Sequence, residues 1–102
     1  MDFENRLQSW LAGAQRMIDV RYAENYPSLE VPKLELERGR RYIRVVRRDR
    51  SQRSAHAFID IANGDVLKPA SWKTPAKHAR GNIFDDANGL RYMTDLGPAY
   101  LR

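Results

Sequence analysis

The stretch that decides the fold is KLELERGRRYIRVVRRDRSQRSAHAFIDIANGDVLKP, residues 33–69. Four segments in it either alternate apolar with polar side chains or are rich in β-branched and aromatic residues, which is typical of strands. These segments are KLELE (33–37), RYIRVV (41–46), SAHAFIDI (54–61) and DVLKP (65–69). Because they are separated by short polar connections, the stretch predicts an antiparallel meander of three to four strands.

The connections carry turn signals of different strength. Arg38-Gly39 predicts a turn, and RRDRSQR (47–53) predicts a polar connection. Asn63-Gly64 is the clearest signal, since both residues tolerate the positive φ of a type I′ hairpin. Pro69 has no N–H to donate to a neighbouring strand, so the fourth strand should end there or lie at an edge.

A long amphipathic helix is predicted before the sheet, over residues 3–25. Asp2 is its expected N-cap, and Tyr26-Pro27 should end it because the residue before a proline avoids helical geometry. PSLEVP (27–32) then reads as an extended linker. The predicted apolar stripe has spacings of three and four residues and comprises Phe3, Leu7, Trp10, Leu11, Ala14, Ile18 and Tyr22.

A second, short basic helix is predicted after the sheet. Thr74-Pro75 resembles a cap followed by a first-turn proline, residues 76–80 would form the helix, and Gly81 would end it. The tail over 82–102 is expected to have little regular structure. The fold class is therefore α+β, with residues 1–102 as a single domain.

Composition narrows the class of protein. The chain has 102 residues, of which 42% are apolar and 30% charged, as expected for one small globular domain. A domain of this size has little core to spare, so we expect a homo-oligomer. The absence of cysteine fits a reducing compartment, and MDFENRLQSWLAGAQ is neither a signal peptide nor a membrane span. These features predict a cytoplasmic protein with no membrane partner.

Positive charge is concentrated in two segments. The net charge is +5 and the pI is about 9.9. Residues 38–53 contain eight arginines and one acid, Asp49, and residues 66–84 contain no acid. Basic surfaces attract polyanions in general, so the charge alone does not separate nucleotides, nucleic acids and other anions.

The second segment has the parts of an anion-binding element. A helix start would offer free N–H groups, lysine and arginine would bind phosphates, and tryptophan or histidine would stack on a base whose edge Asn82 reads. The alternative is that Trp72 packs in the core, His78 lies on the surface and the charges form a solvated face. The predicted ligand-binding residues are Lys68, Ser71, Trp72, Lys73, Thr74, Lys77, His78, Arg80 and Asn82.

The first segment predicts a stripe of arginines that suits phosphate contacts. Two alternatives stand beside this interpretation: the arginines protect a sheet edge, or Glu35 and Glu37 on the neighbouring strand neutralise part of the stripe. The stripe comprises Arg41, Arg44, Arg47, Arg48 and Arg53, with Arg50 in the turn.

The run GDVLKPASWKTPAKHARGNIFD (64–85) resembles a motif of small, largely uncharacterised proteins encoded by tailed bacteriophages. Their motif is G-D-x-x-K-P-A-S-W-K-x-P-A-K-H-x-R-G-N, preceded by an aromatic-rich helix and followed by an end similar to Ala99–Arg102 here. The resemblance implies a phage protein acting in the cytoplasm of an infected bacterium. It implies no activity. In size and charge, such a protein is analogous to the small proteins called sponges. Sponges bind and sequester nucleotide immune signals of the host and so act against its defence.

The expected function is non-catalytic binding of a nucleotide or another phosphorylated small molecule. The first alternative is a DNA- or RNA-binding module that uses the arginine stripe, and the second is an inhibitor that docks on an acidic host protein. No catalytic motif is present, and no spacing requires a metal site, although four aspartates with His56 or His78 would provide ligands. We therefore expect no enzyme activity, no cofactor and no metal. The four aspartates are Asp60, Asp65, Asp85 and Asp86.

Overall fold

The computed structural model describes residues 2–100 and begins with helix α1, Phe3–Asn25. The predicted start and end are confirmed. The Asp2 side chain accepts a hydrogen bond from the Asn5 N–H at 2.9 Å, and the Tyr26 N–H donates to the Tyr22 carbonyl at 2.8 Å. Four members of the predicted stripe are fully buried: Leu7, Trp10, Ala14 and Ile18.

The predicted antiparallel meander is confirmed, with strand order β1-β2-β3-β4. Its strands are β1 Lys33–Arg38, β2 Tyr42–Asp49, β3 Gln52–Asp60 and β4 Val66–Leu67. The polar connection predicted over 47–53 is wrong, because β2 and β3 extend to a tight turn in which Arg50 adopts a φ of +60°. An arginine can occupy a strand when its charged group reaches water or a carboxylate. A run of arginines therefore does not by itself indicate a loop.

Helix α1 packs on one face of this sheet, and we call the opposite side the outer face. The core between helix and sheet includes Ile43, Val45, Ala57 and Ile59, all nearly inaccessible to solvent. A β-bulge lies opposite Val45 and Val46, where β3 contributes the extra residue His56. Side chains alternate across a strand, so the bulge resets which residues of β3 face the helix.

The short basic helix predicted over 76–80 does not form. Pro75 instead bridges to Pro69, and the Ala76 N–H donates to the Lys68 carbonyl at 2.7 Å, which folds the chain back on itself. His78 has a φ of +71°, a left-handed conformation that a right-handed helix cannot contain. The cap-like Thr74-Pro75 pair therefore belongs to a compact loop.

The tail is more ordered than predicted. A small second sheet pairs β5 Met93–Thr94 with β6 Gly97–Pro98. The Asp85 carboxylate accepts three backbone N–H bonds from neighbouring turns; burial raises the pKa of Asp85, but these bonds outweigh it and the pKa lies below its usual range. Leu101 and Arg102, the last two residues of the 99–102 segment for which a resemblance to phage proteins was predicted, lie outside the described residues. No helix within residues 2–100 combines the length and the apolar character needed to cross a membrane.

Candidate anion-binding site

The loop over residues 69–75 lies on the outer face of the sheet. Val46 and Phe58 are directed to that face, yet they are only 0% and 2% exposed. The Trp72 carbonyl accepts a hydrogen bond from Arg44 Nε at 3.0 Å, which joins the loop to β2. The loop therefore brings the predicted anion-binding segment onto the arginine-rich strands.

Trp72 lies against two arginines of this face. The guanidinium carbon of Arg44 is 4.2 Å from the Trp72 ring centre, and that of Arg53 is 5.4 Å away, within cation–π range. Glu37 binds both arginines, at 3.1 Å from Arg44 and in closer contact with Arg53. Trp72 remains 36% exposed. It is therefore a surface residue held by arginines, and the alternative that it packs in the core is wrong.

A basic pocket of about 350 Å³ opens beside this cluster, at the β1–β2 turn. Two of its cations are paired: Arg38 with Glu4 at 2.8 Å and Arg44 with Glu37. The other three, Arg40, Arg41 and Lys73, take part in no ion pair within residues 2–100. The lining residues are Glu37, Arg38, Gly39, Arg40, Arg41, Tyr42, Arg44, Phe58 and Lys73. Positive charge is therefore in clear excess in this pocket.

A tight turn fixes the backbone of Lys73 at the pocket. The Ser71 hydroxyl accepts the N–H groups of Lys73 and Thr74, each at 3.2 Å, and lies 3.1 Å from the Thr74 hydroxyl. The Ala70 N–H donates to the Thr74 carbonyl at 3.0 Å. Ser71 and Thr74, which we predicted to bind ligand, thus serve the turn that presents Lys73.

Two further predicted ligand residues, Arg80 and Lys68, have structural roles. The Arg80 side chain is 8% exposed and donates to the carbonyls of Lys77 and His78, each at 2.8 Å. Lys68 Nζ donates to the Pro98 carbonyl at 3.0 Å and lies 4.0 Å from the Tyr100 ring centre. Neither side chain lines the basic pocket. Each is instead hydrogen-bonded to backbone carbonyls and so stabilises a loop.

The remaining predicted ligand residues also lie away from the pocket. Asn82 Nδ2 donates to the Asn63 carbonyl at 2.8 Å and to Asp65 at 3.0 Å, which connects the tail to the β3–β4 hairpin. Lys77 and His78 are exposed on the far part of the loop. Of the predicted ligand-binding segment, Lys73 reaches the pocket and Trp72 lies beside it.

The arginine stripe is divided between the two sheet faces. Arg47 lies on the helix side, where it donates to the Asp95 carbonyl at 2.8 Å. Arg48 is paired with Glu35 at 2.9 Å, and this hydrogen-bonded pair lowers the pKa of Glu35. With the contacts of Glu37, this confirms the alternative that the two glutamates neutralise part of the stripe. Arg41 lies at the turn and lines the pocket.

Much of the pocket wall lies outside the predicted site. Arg38 and Arg40 belong to the basic run but are not among the predicted ligand residues, and Tyr42 and Phe58 are predicted only as strand residues. The available signal was RGRR (38–41), four residues at a turn of which three are basic. A turn that joins two arginine-bearing strands concentrates their charges at one end of the sheet.

No group of three or more His, Cys, Asp or Glu within residues 2–100 is arranged to hold a metal ion. His56 is buried in the bulge; its burial, together with the nearby charge of Arg47, lowers its pKa to about 4. The basic pocket is lined by cations and aromatic side chains. Such a lining suits an anionic ligand bound by charge and hydrogen bonds.

The chain matches a protein-family model over most of its length. No curated protein and no solved structure matches the chain. Residues 3–100 match a family described as a family of unknown function, DUF7717. This match spans α1, both sheets and the loop that carries Trp72 and Lys73, so the chain belongs to the DUF7717 family.

Proposed function

We propose that this protein binds a phosphorylated ligand in the basic pocket at the β1–β2 turn. The observation that carries the proposal is the convergence of Arg40, Arg41 and Lys73, from two distant segments, on one pocket without ion-pair partners among residues 2–100. Arginine binds phosphate with two parallel hydrogen bonds, and lysine adds a mobile point charge.

The size and walls of the pocket support a small ligand. A volume of about 350 Å³ lies at the lower end of small-molecule sites. Arg44 lines the pocket and also contacts Trp72, so a phosphate at Lys73 would place the rest of a nucleotide close to an aromatic ring. The carboxylate in the lining, Glu37, is bound by two guanidiniums. We therefore infer that the pocket binds its ligand without catalysing a reaction.

Thermal unfolding with a panel of nucleoside mono-, di- and triphosphates, cyclic dinucleotides and inorganic pyrophosphate tests this function. A ligand that binds only the folded state at a hundred times its dissociation constant stabilises it by about 2.7 kcal/mol. Lys73→Gln and Arg41→Gln should each weaken binding about tenfold or more, because each removes a charged hydrogen-bond donor. If no anion of the panel raises the unfolding temperature, the proposal is contradicted.

The matched control is Lys77→Gln. It removes the same charge from the same loop, but Lys77 does not line the pocket. Equal losses from Lys73→Gln and Lys77→Gln would mean that general charge, rather than the pocket, attracts the anion.

A second candidate is the binding of single-stranded nucleic acid. The observation that favours it is the open position of Trp72 between the basic pocket and a second depression lined by Arg53, Ser54 and Pro69. Exposed aromatic side chains beside phosphate-binding cations stack bases with little sequence preference. Binding of an oligonucleotide should then weaken steeply with salt. A short oligothymidylate titrated at several salt concentrations distinguishes this from the small-ligand pocket, whose affinity should change less.

A further inference from the structure

A third depression, which we call the apolar groove, lies along helix α1, away from the outer face of the sheet. It has a volume of about 660 Å³ and runs between α1 and the β5 region. Its floor is apolar, with Met17 and Val20 from the helix and Leu90 and Met93 from the tail. Val20 is 46% exposed although it is an apolar residue in the C-terminal part of the amphipathic helix α1. Exposed apolar grooves of this kind mark interaction surfaces.

The charges around the groove are arranged symmetrically about Val20. Arg16 precedes it by four residues and Glu24 follows it by four, and both line the groove. Neither takes part in an ion pair within residues 2–100. Arg21, also on the rim, is already paired with Asp95 at 3.8 Å. Two unpaired charges of opposite sign therefore flank one exposed apolar side chain.

We propose that this groove is the interface of a homodimer in which α1 packs antiparallel against α1 of a second copy, with Val20 at the two-fold axis. A helix rises about 1.5 Å per residue, so Arg16 and Glu24 lie about 6 Å to either side of Val20 along the helix. A two-fold axis at Val20 then brings Arg16 level with the partner's Glu24, and the symmetry repeats the pair.

The arrangement fits a second copy better than an unrelated helix because it is self-complementary. An isologous interface requires each patch to match itself, which one positive and one negative charge at equal distances from the axis achieve. The interface also covers Met17 and Val20, and so adds apolar burial to a small domain. This inference does not depend on the anion pocket, which contains no residue of the groove.

Sedimentation equilibrium of the full chain tests the dimer. We expect self-association with a dissociation constant on the order of micromolar, as for small interfaces. Arg16→Glu or Glu24→Arg alone should weaken it about tenfold or more, because like charges then meet twice across the axis. The double variant R16E/E24R should restore the wild-type constant. Glu30→Arg is the control, since this exposed residue lies outside the groove.

Cross-linking gives a second measurement that does not need the charge variants. The chain has no cysteine, so Val20→Cys introduces a single thiol. Two Cβ atoms at the axis should approach to about 4 Å, which permits a disulfide on mild oxidation. Ala12→Cys, exposed elsewhere on the helix, should stay monomeric under the same conditions. A monomer up to millimolar concentration, a dimer insensitive to Glu24→Arg, or equal cross-linking of both cysteines would each overturn the proposal.

Discussion

Arg44 holds Trp72 by two contacts at once: its guanidinium carbon lies 4.2 Å from the ring centre, and its Nε donates to the Trp72 carbonyl at 3.0 Å. These contacts join two segments that are far apart in sequence, the second strand and the loop that follows the sheet. The same arginine lines the basic pocket. The position of Lys73 at that pocket therefore depends on the contact between Arg44 and Trp72.

Arg44→Ala should release the loop from the sheet. It removes a cation–π contact, a hydrogen bond and the pairing with Glu37, so we expect a loss of about 1–2 kcal/mol in the free energy of unfolding. Trp72 should become more accessible, with a red-shifted emission and stronger acrylamide quenching. Arg53→Ala is the comparison, and its effect should be smaller because Arg53 lies 5.4 Å from the ring centre. Unchanged Trp72 quenching in Arg44→Ala would show that the loop is held by other contacts.

Glu37→Gln should strengthen anion binding. Glu37 lines the pocket and neutralises both Arg44 and Arg53, so the amide leaves these guanidiniums with more net charge for a ligand. We expect pyrophosphate affinity to rise several-fold while thermal stability falls slightly. Isothermal titration of Glu37→Gln and of Glu35→Gln checks this, because Glu35 pairs with Arg48 outside the pocket. Equal gains in both variants would point to net charge alone.

The strands and the long helix could be predicted because their signals are local. Apolar spacing defines α1, and alternating or β-branched residues define the sheet. The short helix over 76–80 could not be rejected locally, since Thr74-Pro75 has the chemistry of a helix start. The competing contacts come from elsewhere: Pro75 bridges to Pro69, and the chain then turns through His78 at positive φ.

The sequence indicates which kinds of residue could form the site, but not which individual residues line the pocket. The two basic segments meet at Arg41 and Lys73, a proximity that charge patterning did not predict. Patterning cannot tell a free cation from one that satisfies a backbone carbonyl, and Arg80 and Lys68 are of the second kind. Which cations are free depends on long-range packing, and that information lies outside any short window of sequence.

Acid should loosen the junction between helix and sheet. The hydrogen-bonded Arg38, with a smaller contribution from Gln8, lowers the pKa of Glu4 to about 2 from its usual 4.5. A carboxyl with a lowered pKa stabilises the fold above its unfolded pKa, and this stabilisation is lost as the pH falls from 4.5 towards 2. Glu4→Gln should therefore flatten the dependence of unfolding free energy on pH in this window. Glu35 and Asp85 also have lowered pKa values, so some dependence should remain.

The double variant E4Q/R38Q provides the control for that experiment. Arg38 is the partner of Glu4 at 2.8 Å, so removing it as well should produce no further flattening. A steeper acid limb in Glu4→Gln than in the wild type would contradict the assignment of this pair.

His56 should make the protein less stable between pH 6.5 and 4. Burial, then the charge of Arg47, lowers its folded pKa to about 4, while Asp95 opposes the shift and Lys68 adds to it. In this window His56 is protonated in the unfolded chain but not in the folded chain. Stability therefore rises with pH and is lost as the pH falls. Between pH 7 and pH 5 we expect a loss of about 2 kcal/mol from this residue.

Urea unfolding of the wild type and of His56→Leu at pH 5, 6 and 7 measures this loss. Whatever the absolute stability of the leucine variant, its unfolding free energy should be nearly constant over the range, because the titrating group has been removed. His78→Gln is the control, since His78 is exposed and should leave the wild-type slope unchanged. A slope that survives in His56→Leu, or disappears in His78→Gln, would assign the pH dependence to a group other than the bulge histidine.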